Sequence, residues 1–81
     1  MTNNEIQEKV IHILAVIFDM QPAKISPETS AKTLARWDSL NQIKLTVALE
    51  EEFDLEFEPE EIAAMISVKA IVDIISGKTN H

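Results

Sequence analysis

Apolar residues recur at the period of an α-helix in three segments of this chain, and this pattern favours an all-α fold. The first segment predicts a helix from about residue 3 to residue 18, with apolar residues at Ile6, Val10, Ile13, Leu14 and Ile17. A capping box from Thr2 to Glu5 marks where this helix begins. The second segment predicts a helix from about Ser39 to Phe53.

The last third of the chain predicts two further helices. Pro59 suits the first position of a short third helix, with Glu60 and Glu61 in its first turn. Ser67 can cap a fourth helix, whose apolar residues are Val68, Ile71, Val72 and Ile75. Gly77 is expected to end that helix.

The segment between the first two predicted helices is typical of a long loop, because it contains Pro22, Pro27 and a cluster of Ser and Thr. Three apolar side chains should anchor it to the core: Ile25, Leu34 and Trp37. We therefore expect a small four-helix bundle with a long first loop and a short third helix, formed by a single domain of residues 1–81.

The composition limits the functions that such a fold can serve. Fourteen acidic and seven basic residues give a net charge of −7, which disfavours nucleic acids and anionic membranes and suits basic protein surfaces. Solubility is the simpler explanation of the charge by itself. The chain has no Cys, no apolar stretch long enough to span a membrane and no secretion signal. We expect a complete, monomeric, cytoplasmic protein.

No part of the sequence has the pattern of a catalytic or metal centre. A single Gly excludes a Gly-rich phosphate loop. His12 lies among apolar residues of the first helix and is better explained as a partly buried structural histidine. The acids of "DLEFEPEE" fail as a calcium loop, because Pro59 stands where the turn requires Gly. We therefore expect neither an enzyme nor a metal site.

The second helix has apolar residues on two opposite sides, at about 100° per residue. The side that should face the core carries Leu45, Leu49 and Phe53. The opposite side carries Leu40, Ile43 and Val47, with Lys44, Glu50, Glu51 and Asp54 around them. An apolar strip with a charged rim is typical of a transient protein-binding surface. The alternative is that the loop and the third helix bury both sides.

Asp38 and Ser39 stand where an extended segment becomes the second helix, and both residues are good helix N-caps. One cap is enough. Backbone N–H groups and the positive end of the helix dipole are directed to this position, so a phosphate on the Ser39 hydroxyl would be well placed. Plain capping is nevertheless the simpler explanation of the dipeptide alone.

Taken together, these features resemble the acyl carrier protein family, whose members carry 4′-phosphopantetheine on a serine. The resemblance rests on "DSL", Asp38 to Leu40, and on "ALEEEFDLEF", which begins nine residues after the serine. The loop-rich approach from Pro22 and the final "SVKAIVDII" also fit. The resemblance therefore covers essentially the whole chain.

The resemblance implies a carrier rather than an enzyme. Ser39 would bear the arm, attached from coenzyme A by a phosphopantetheinyl transferase, and the arm's thiol would hold acyl groups as thioesters. The family shelters acyl chains between its helices, and the apolar interior of this chain implies the same. Positions that contact partner enzymes correspond to Asp38, Leu40, Asn41, Ile43, Lys44, Val47, Glu50, Glu51 and Ile62. The alternative is a small acidic helical interaction module without a prosthetic group.

Two departures point away from general fatty acid biosynthesis. Asn41 and Lys44 occupy positions that are usually acidic in fatty acid carriers, and Trp37 stands where those carriers tend to have Ala. The sequence resembles more closely the stand-alone carriers of specialised pathways, such as polyketide, aminoacyl or dedicated lipid assembly. The implied partners are an acyl-loading ligase or acyltransferase and a ketosynthase or other pathway enzymes.

Overall fold

Four α-helices and their connecting loops make up the computed structural model, which describes residues 2–79. The helices are α1 (Asn3–Phe18), α2 (Ser39–Phe53), α3 (Pro59–Ala64) and α4 (Val68–Thr79). A short 3-10 turn, Pro22–Lys24, lies in the first loop. The expected all-α fold with a long first loop and a short third helix is confirmed.

Local capping interactions fix the ends of the helices. The Thr2 hydroxyl accepts a hydrogen bond from the Glu5 N–H at 3.2 Å, and the Glu5 carboxylate accepts one from the Thr2 N–H at 3.0 Å. The Ser67 hydroxyl accepts a hydrogen bond from the Ala70 N–H at 3.0 Å, at the start of α4. The C-caps of α1 and α2 are Asp19 and Asp54, the residues directly after each helix. Both adopt the left-handed conformation that Gly more often supplies (φ 54° and 51°).

The predicted end of the fourth helix is wrong. α4 continues through Gly77 to Thr79, whose hydroxyl donates to the carbonyl of Ile75 at 2.9 Å. A glycine ends a helix when it adopts the left-handed conformation, and the φ of Gly77 is not positive. Nothing stops the helix at this residue, so it runs on for two more positions.

The core forms where α1 packs against α2 and α4, while α3 packs against α4. Nine of its side chains are at most 1% exposed: Ile6, Val10, Leu14, Leu45, Leu49, Met65, Val68, Ile71 and Ile75. Burying this apolar surface is the main stabilising contribution in a chain of this size. None of the described helices is long and apolar enough to cross a membrane.

The long first loop is attached to the core at both ends and to α4 in the middle. Ile25 and Trp37 are buried and Leu34 is half-buried, as the sequence predicts. The Val68 N–H donates to the carbonyl of Thr29 at 3.0 Å, which ties the loop to the first residue of α4. The loop therefore delivers the chain to the start of α2 along a defined path.

Candidate functional site

Asp38 and Ser39 have separate roles at the N-terminus of α2. Asp38 is the N-cap, since its Oδ1 accepts a hydrogen bond from the Asn41 N–H at 2.9 Å. Ser39 is the first residue of the helix and is exposed, and its hydroxyl makes no hydrogen bond within residues 2–79. Because Asp38 already caps the helix, the serine hydroxyl is available to react with another molecule.

The residues that precede this serine are fixed to the rest of the fold. Arg36 donates through Nη1 to the carbonyl of Phe18 at 2.6 Å, where α1 ends. Asn41 donates through Nδ2 to the carbonyl of Arg36 at 2.7 Å. Trp37 is buried against Phe18, with the two ring centroids 5.5 Å apart. These contacts hold the start of α2 in place against α1.

The start of α2 favours an anion. The first N–H groups of any helix lack a partner within the helix, and the helix dipole places partial positive charge there. Asp38 satisfies the N–H groups of Asn41 and Gln42, the latter through its carbonyl at 2.8 Å. The N–H groups of Ser39 and Leu40 have no such partner among the described residues. A phosphate on the Ser39 oxygen would lie near these two donors.

An open, mainly apolar pocket of about 310 Å³ lies beside Ser39, between α2 and α3. Trp37 and Met65 line it and are buried, so they form its floor. Gln42 crosses this pocket. Its Oε1 accepts a hydrogen bond from the Trp37 indole N–H at 2.5 Å, and its Nε2 donates to the carbonyl of Ile62 at 3.4 Å.

Gln42 was not among the residues predicted from the sequence to form this site. At about 100° per residue, this amide falls on the same side of α2 as Leu49, which faces the core. A polar residue on the buried side of a helix needs hydrogen-bond partners, so its position in the sequence could have indicated a polar contact here. Its partners belong to the first loop and α3, so the sequence pattern of α2 could not identify them.

The side of α2 opposite the core carries exposed apolar residues, as the sequence predicts. We define the outer strip as Leu40, Ile43 and Val47, which are 61%, 63% and 49% exposed. On the other side, Leu45 and Leu49 are fully buried. The alternative in which both sides are buried is therefore wrong.

The other predicted contact residues differ in how exposed they are. Asp38, Lys44 and Glu51 are exposed. Three others are half-buried and also support the fold, a role that the sequence analysis did not assign: Asn41, Glu50 and Ile62. The Glu50 carboxylate accepts a hydrogen bond from the Phe57 N–H at 3.0 Å, and Ile62 packs against the core. Their contact with partner enzymes stays a prediction.

Comparison with known proteins identifies the family. A family model described as "Phosphopantetheine attachment site" matches residues 8–75, and the acyl carrier protein of Thermosynechococcus vestitus is 38% identical over 78 residues, 96% of each chain. The chain belongs to the acyl carrier protein family. This carrier is also similar to the acyl carrier protein of Picosynechococcus sp., with 36% identity over 78 residues, 95% of each chain.

Family membership makes the chain a carrier rather than an enzyme, with a covalently attached 4′-phosphopantetheine arm. It interacts, as the family does, with a phosphopantetheinyl transferase and with acyl-handling enzymes. The start of α2 fits this group, because it combines an exposed hydroxyl, two N–H groups and an adjacent apolar pocket. Membership also favours a carrier over an interaction module without a prosthetic group.

His12 of this carrier is exposed, so the prediction of a partly buried histidine is wrong. Val10 and Leu14 occupy the core-facing side of α1, and His12 lies about 200° from Val10 at the helical period. A surface ion pair lies beside it, in which Lys9 Nζ is 3.1 Å from the Glu52 carboxylate. Between residues 2 and 79 no three metal-ligating side chains form a cluster.

Proposed function

We propose that this carrier bears its arm on Ser39 and presents acyl or related intermediates to the enzymes of a specialised pathway. One observation supports it most strongly: the Ser39 hydroxyl is exposed at the start of α2, beside a separate residue, Asp38, that caps the helix. When bound, the arm supplies a thiol that holds an acyl group as a thioester, a chemistry that a chain without Cys lacks. A single carrier domain and a cytoplasmic location remain parts of this proposal.

The modification requires from this chain one nucleophilic oxygen. Ser39 Oγ attacks the phosphorus of coenzyme A next to the pantetheine, the P–O bond to the nucleotide breaks, and adenosine 3′,5′-bisphosphate leaves. The hydroxyl proton passes to a base of the transferase, so the carrier needs no base of its own. The N–H groups of Ser39 and Leu40, together with the dipole of α2, stabilise the phosphodiester that results.

The outer strip supports a docking role, because it starts one residue after the proposed attachment site. Three exposed apolar side chains with Asp38, Lys44 and Glu51 exposed around them have the composition of a transient protein interface. The net charge of −7 favours encounters with basic enzyme surfaces. A partner bound to this strip would have the Ser39 arm within its reach.

Lys44 supports a specialised pathway. It is exposed on the rim of the outer strip and pairs with no acid among the described residues. A partner with charge complementary to Lys44 would have an acidic group at this position. Enzymes that bind carriers through basic residues would instead be repelled there. The pathway is then polyketide, aminoacyl or dedicated lipid assembly, with an acyl-loading ligase or acyltransferase and a ketosynthase or other pathway enzymes as partners.

Intact mass spectrometry tests the attachment site. The carrier is incubated with coenzyme A and a broad-specificity phosphopantetheinyl transferase, and we expect a gain equal to one phosphopantetheine. Ser39→Ala should gain nothing. Ser30→Ala, in the first loop, is the matched control and should be modified like the wild type. An unmodified wild type, or a modified Ser39→Ala, would overturn the proposal.

A further inference from the structure

We infer that Gln42 keeps the cargo of this carrier outside the helical bundle, so that the arm carries short or polar acyl groups. The inference rests on the proposed attachment at Ser39, because the pocket that Gln42 crosses lies beside that residue. It departs from the expectation, drawn from the apolar interior, that an acyl chain shelters between the helices.

Among the pockets of the described residues, the one beside Ser39 is lined by the proposed attachment site itself, so we take it as the route by which an acyl chain would enter the bundle. Its floor is formed by Trp37 and Met65, which are 6% and 1% exposed. Behind Trp37 lies Phe18, with the ring centroids 5.5 Å apart, and Phe18 belongs to the core. A chain that enters the bundle here must therefore pass between α2 and α3 and move Trp37, which the Gln42 side chain holds in place through the indole N–H.

Gln42 closes the passage with hydrogen bonds in two directions. Its Oε1 binds the Trp37 indole N–H of the first loop, and its Nε2 binds the Ile62 carbonyl of α3. A hydrocarbon chain in this position would break both bonds and leave the amide and the indole N–H against apolar atoms. Unsatisfied polar groups in an apolar setting are destabilising, which opposes entry of the chain.

The hydrogen bonds around Gln42 leave no buried side-chain polar atom without a partner in the described residues. The Gln42 backbone also takes part, since its carbonyl accepts a hydrogen bond from the Thr46 hydroxyl at 2.8 Å. Both ends of the Gln42 side-chain amide are therefore hydrogen-bonded, one to the first loop and one to α3.

The pocket itself has room for part of the arm or for a small acyl group. Its volume of about 310 Å³ is at the lower end of the range for small-molecule sites, and it is open to solvent. A long hydrocarbon chain on the thiol of the arm would not fit in this pocket and would lie partly in water, which is unfavourable in proportion to the exposed apolar area. Short or polar cargo avoids that cost.

Acylated forms of the whole chain test the inference. Butyryl and decanoyl arms are loaded from the corresponding coenzyme A thioesters by the transferase, and each form is compared with the bare holo form. We expect both acyl groups to leave the melting temperature of the wild type within about 1 °C. In Gln42→Ala, the decanoyl form should melt at least about 3 °C above its holo form, and the butyryl form should not.

Fluorescence gives a second readout, because Trp37 is the single Trp in the sequence. Decanoyl loading should shift its emission in Gln42→Ala and leave it unchanged in the wild type. Gln7→Ala on α1 is the matched control and should behave like the wild type in both measurements. If Gln42→Ala does not fold, Trp37→Phe removes the other half of the hydrogen bond and should show the same decanoyl stabilisation.

A decanoyl wild type that melts clearly above its holo form would overturn the inference. So would variants of Gln42 and Trp37 that decanoyl loading fails to stabilise, because another barrier would then close the bundle. The intact mass separates these results from a failure of the proposed function. Without a mass gain at Ser39 both proposals fall, whereas a mass gain with a stabilised wild type removes this inference alone.

Discussion

Among single residues, Asp38 caps α2 and leaves the neighbouring Ser39 hydroxyl exposed, which is where we propose that the arm is attached. The Asp38 carboxylate binds the Asn41 N–H at 2.9 Å and caps the helix. Ser39 contributes no hydrogen bond from its side chain to the residues that the structure describes. A serine that both capped the helix and bore the arm would lose its capping bond on modification, and the proposed attachment at Ser39 avoids that conflict.

These different roles predict different stabilities for two alanine variants. Asp38→Ala should lower the free energy of unfolding by about 1 kcal/mol, as loss of a helix N-cap does. Ser39→Ala should change it by less than about 0.5 kcal/mol, since the hydroxyl is exposed and unbonded. Urea denaturation of the apo proteins measures both. Equal losses would show that the serine shares the capping task.

Among the helices, α2 has one buried side and one exposed apolar side, and we propose that the exposed side binds partners. Leu49→Ala should destabilise the fold by about 2–5 kcal/mol, because Leu49 is fully buried. Ile43→Ala and Val47→Ala should each change stability by less than about 0.5 kcal/mol. The same two changes should slow loading of the arm by the acyl-loading enzyme about five- to tenfold. Comparable stability losses at all three positions would contradict a two-sided helix.

The short helix α3 depends on an ionisable contact. The Glu61 carboxylate accepts a hydrogen bond from the Glu58 N–H at 2.7 Å and lies 2.9 Å from Lys78 Nζ of α4. The Glu58 N–H, and then Lys78, lower the pKa of Glu61 below its ordinary value of 4.5. A lowered pKa means that Glu61 stabilises the fold above pH 4.5 and that this contribution is lost as the pH falls through the folded-state value.

Glu61→Gln should therefore melt below the wild type at pH 7, and the difference should shrink as the pH falls from about 5 to 3. Melting curves across this range measure it. Glu60→Gln is the matched control on the same turn, since Glu60 has no ion pair within the described part of the chain. A difference that stays constant with pH would mean that the charge of Glu61 does not matter.

The same elements show how far the sequence could predict the structure. The capping box of Thr2, the cap at Ser67 and the first position of Pro59 are local signals, and the helices begin where they indicate. The prediction that Gly77 ends α4 is wrong because glycine can adopt both helical and left-handed conformations. Its residue type alone therefore does not determine where a helix ends. Gln42 was missed because its partners lie in the first loop and α3.

For the molecule as a whole, we expect charge to affect how fast the carrier associates with its partners. Lys44→Glu should slow association with this carrier's own loading enzyme, if an acidic group of that enzyme faces Lys44. Rim charges act mainly on the association rate, so the effect should shrink as salt is added. Lys32→Glu in the first loop makes the same change in net charge at an exposed position and is the control. An equal effect of both variants would mean that the association rate depends on net charge and not on Lys44 itself.

Peptide mapping of the holo carrier locates the residue that bears the arm. Trypsin cleaves after Arg36 and Lys44, which releases residues 37–44, "WDSLNQIK", and Ser39 is the one hydroxyl residue in that peptide. We expect one phosphopantetheine on this peptide and none elsewhere. A holo carrier whose added mass maps to any other peptide would contradict attachment at Ser39.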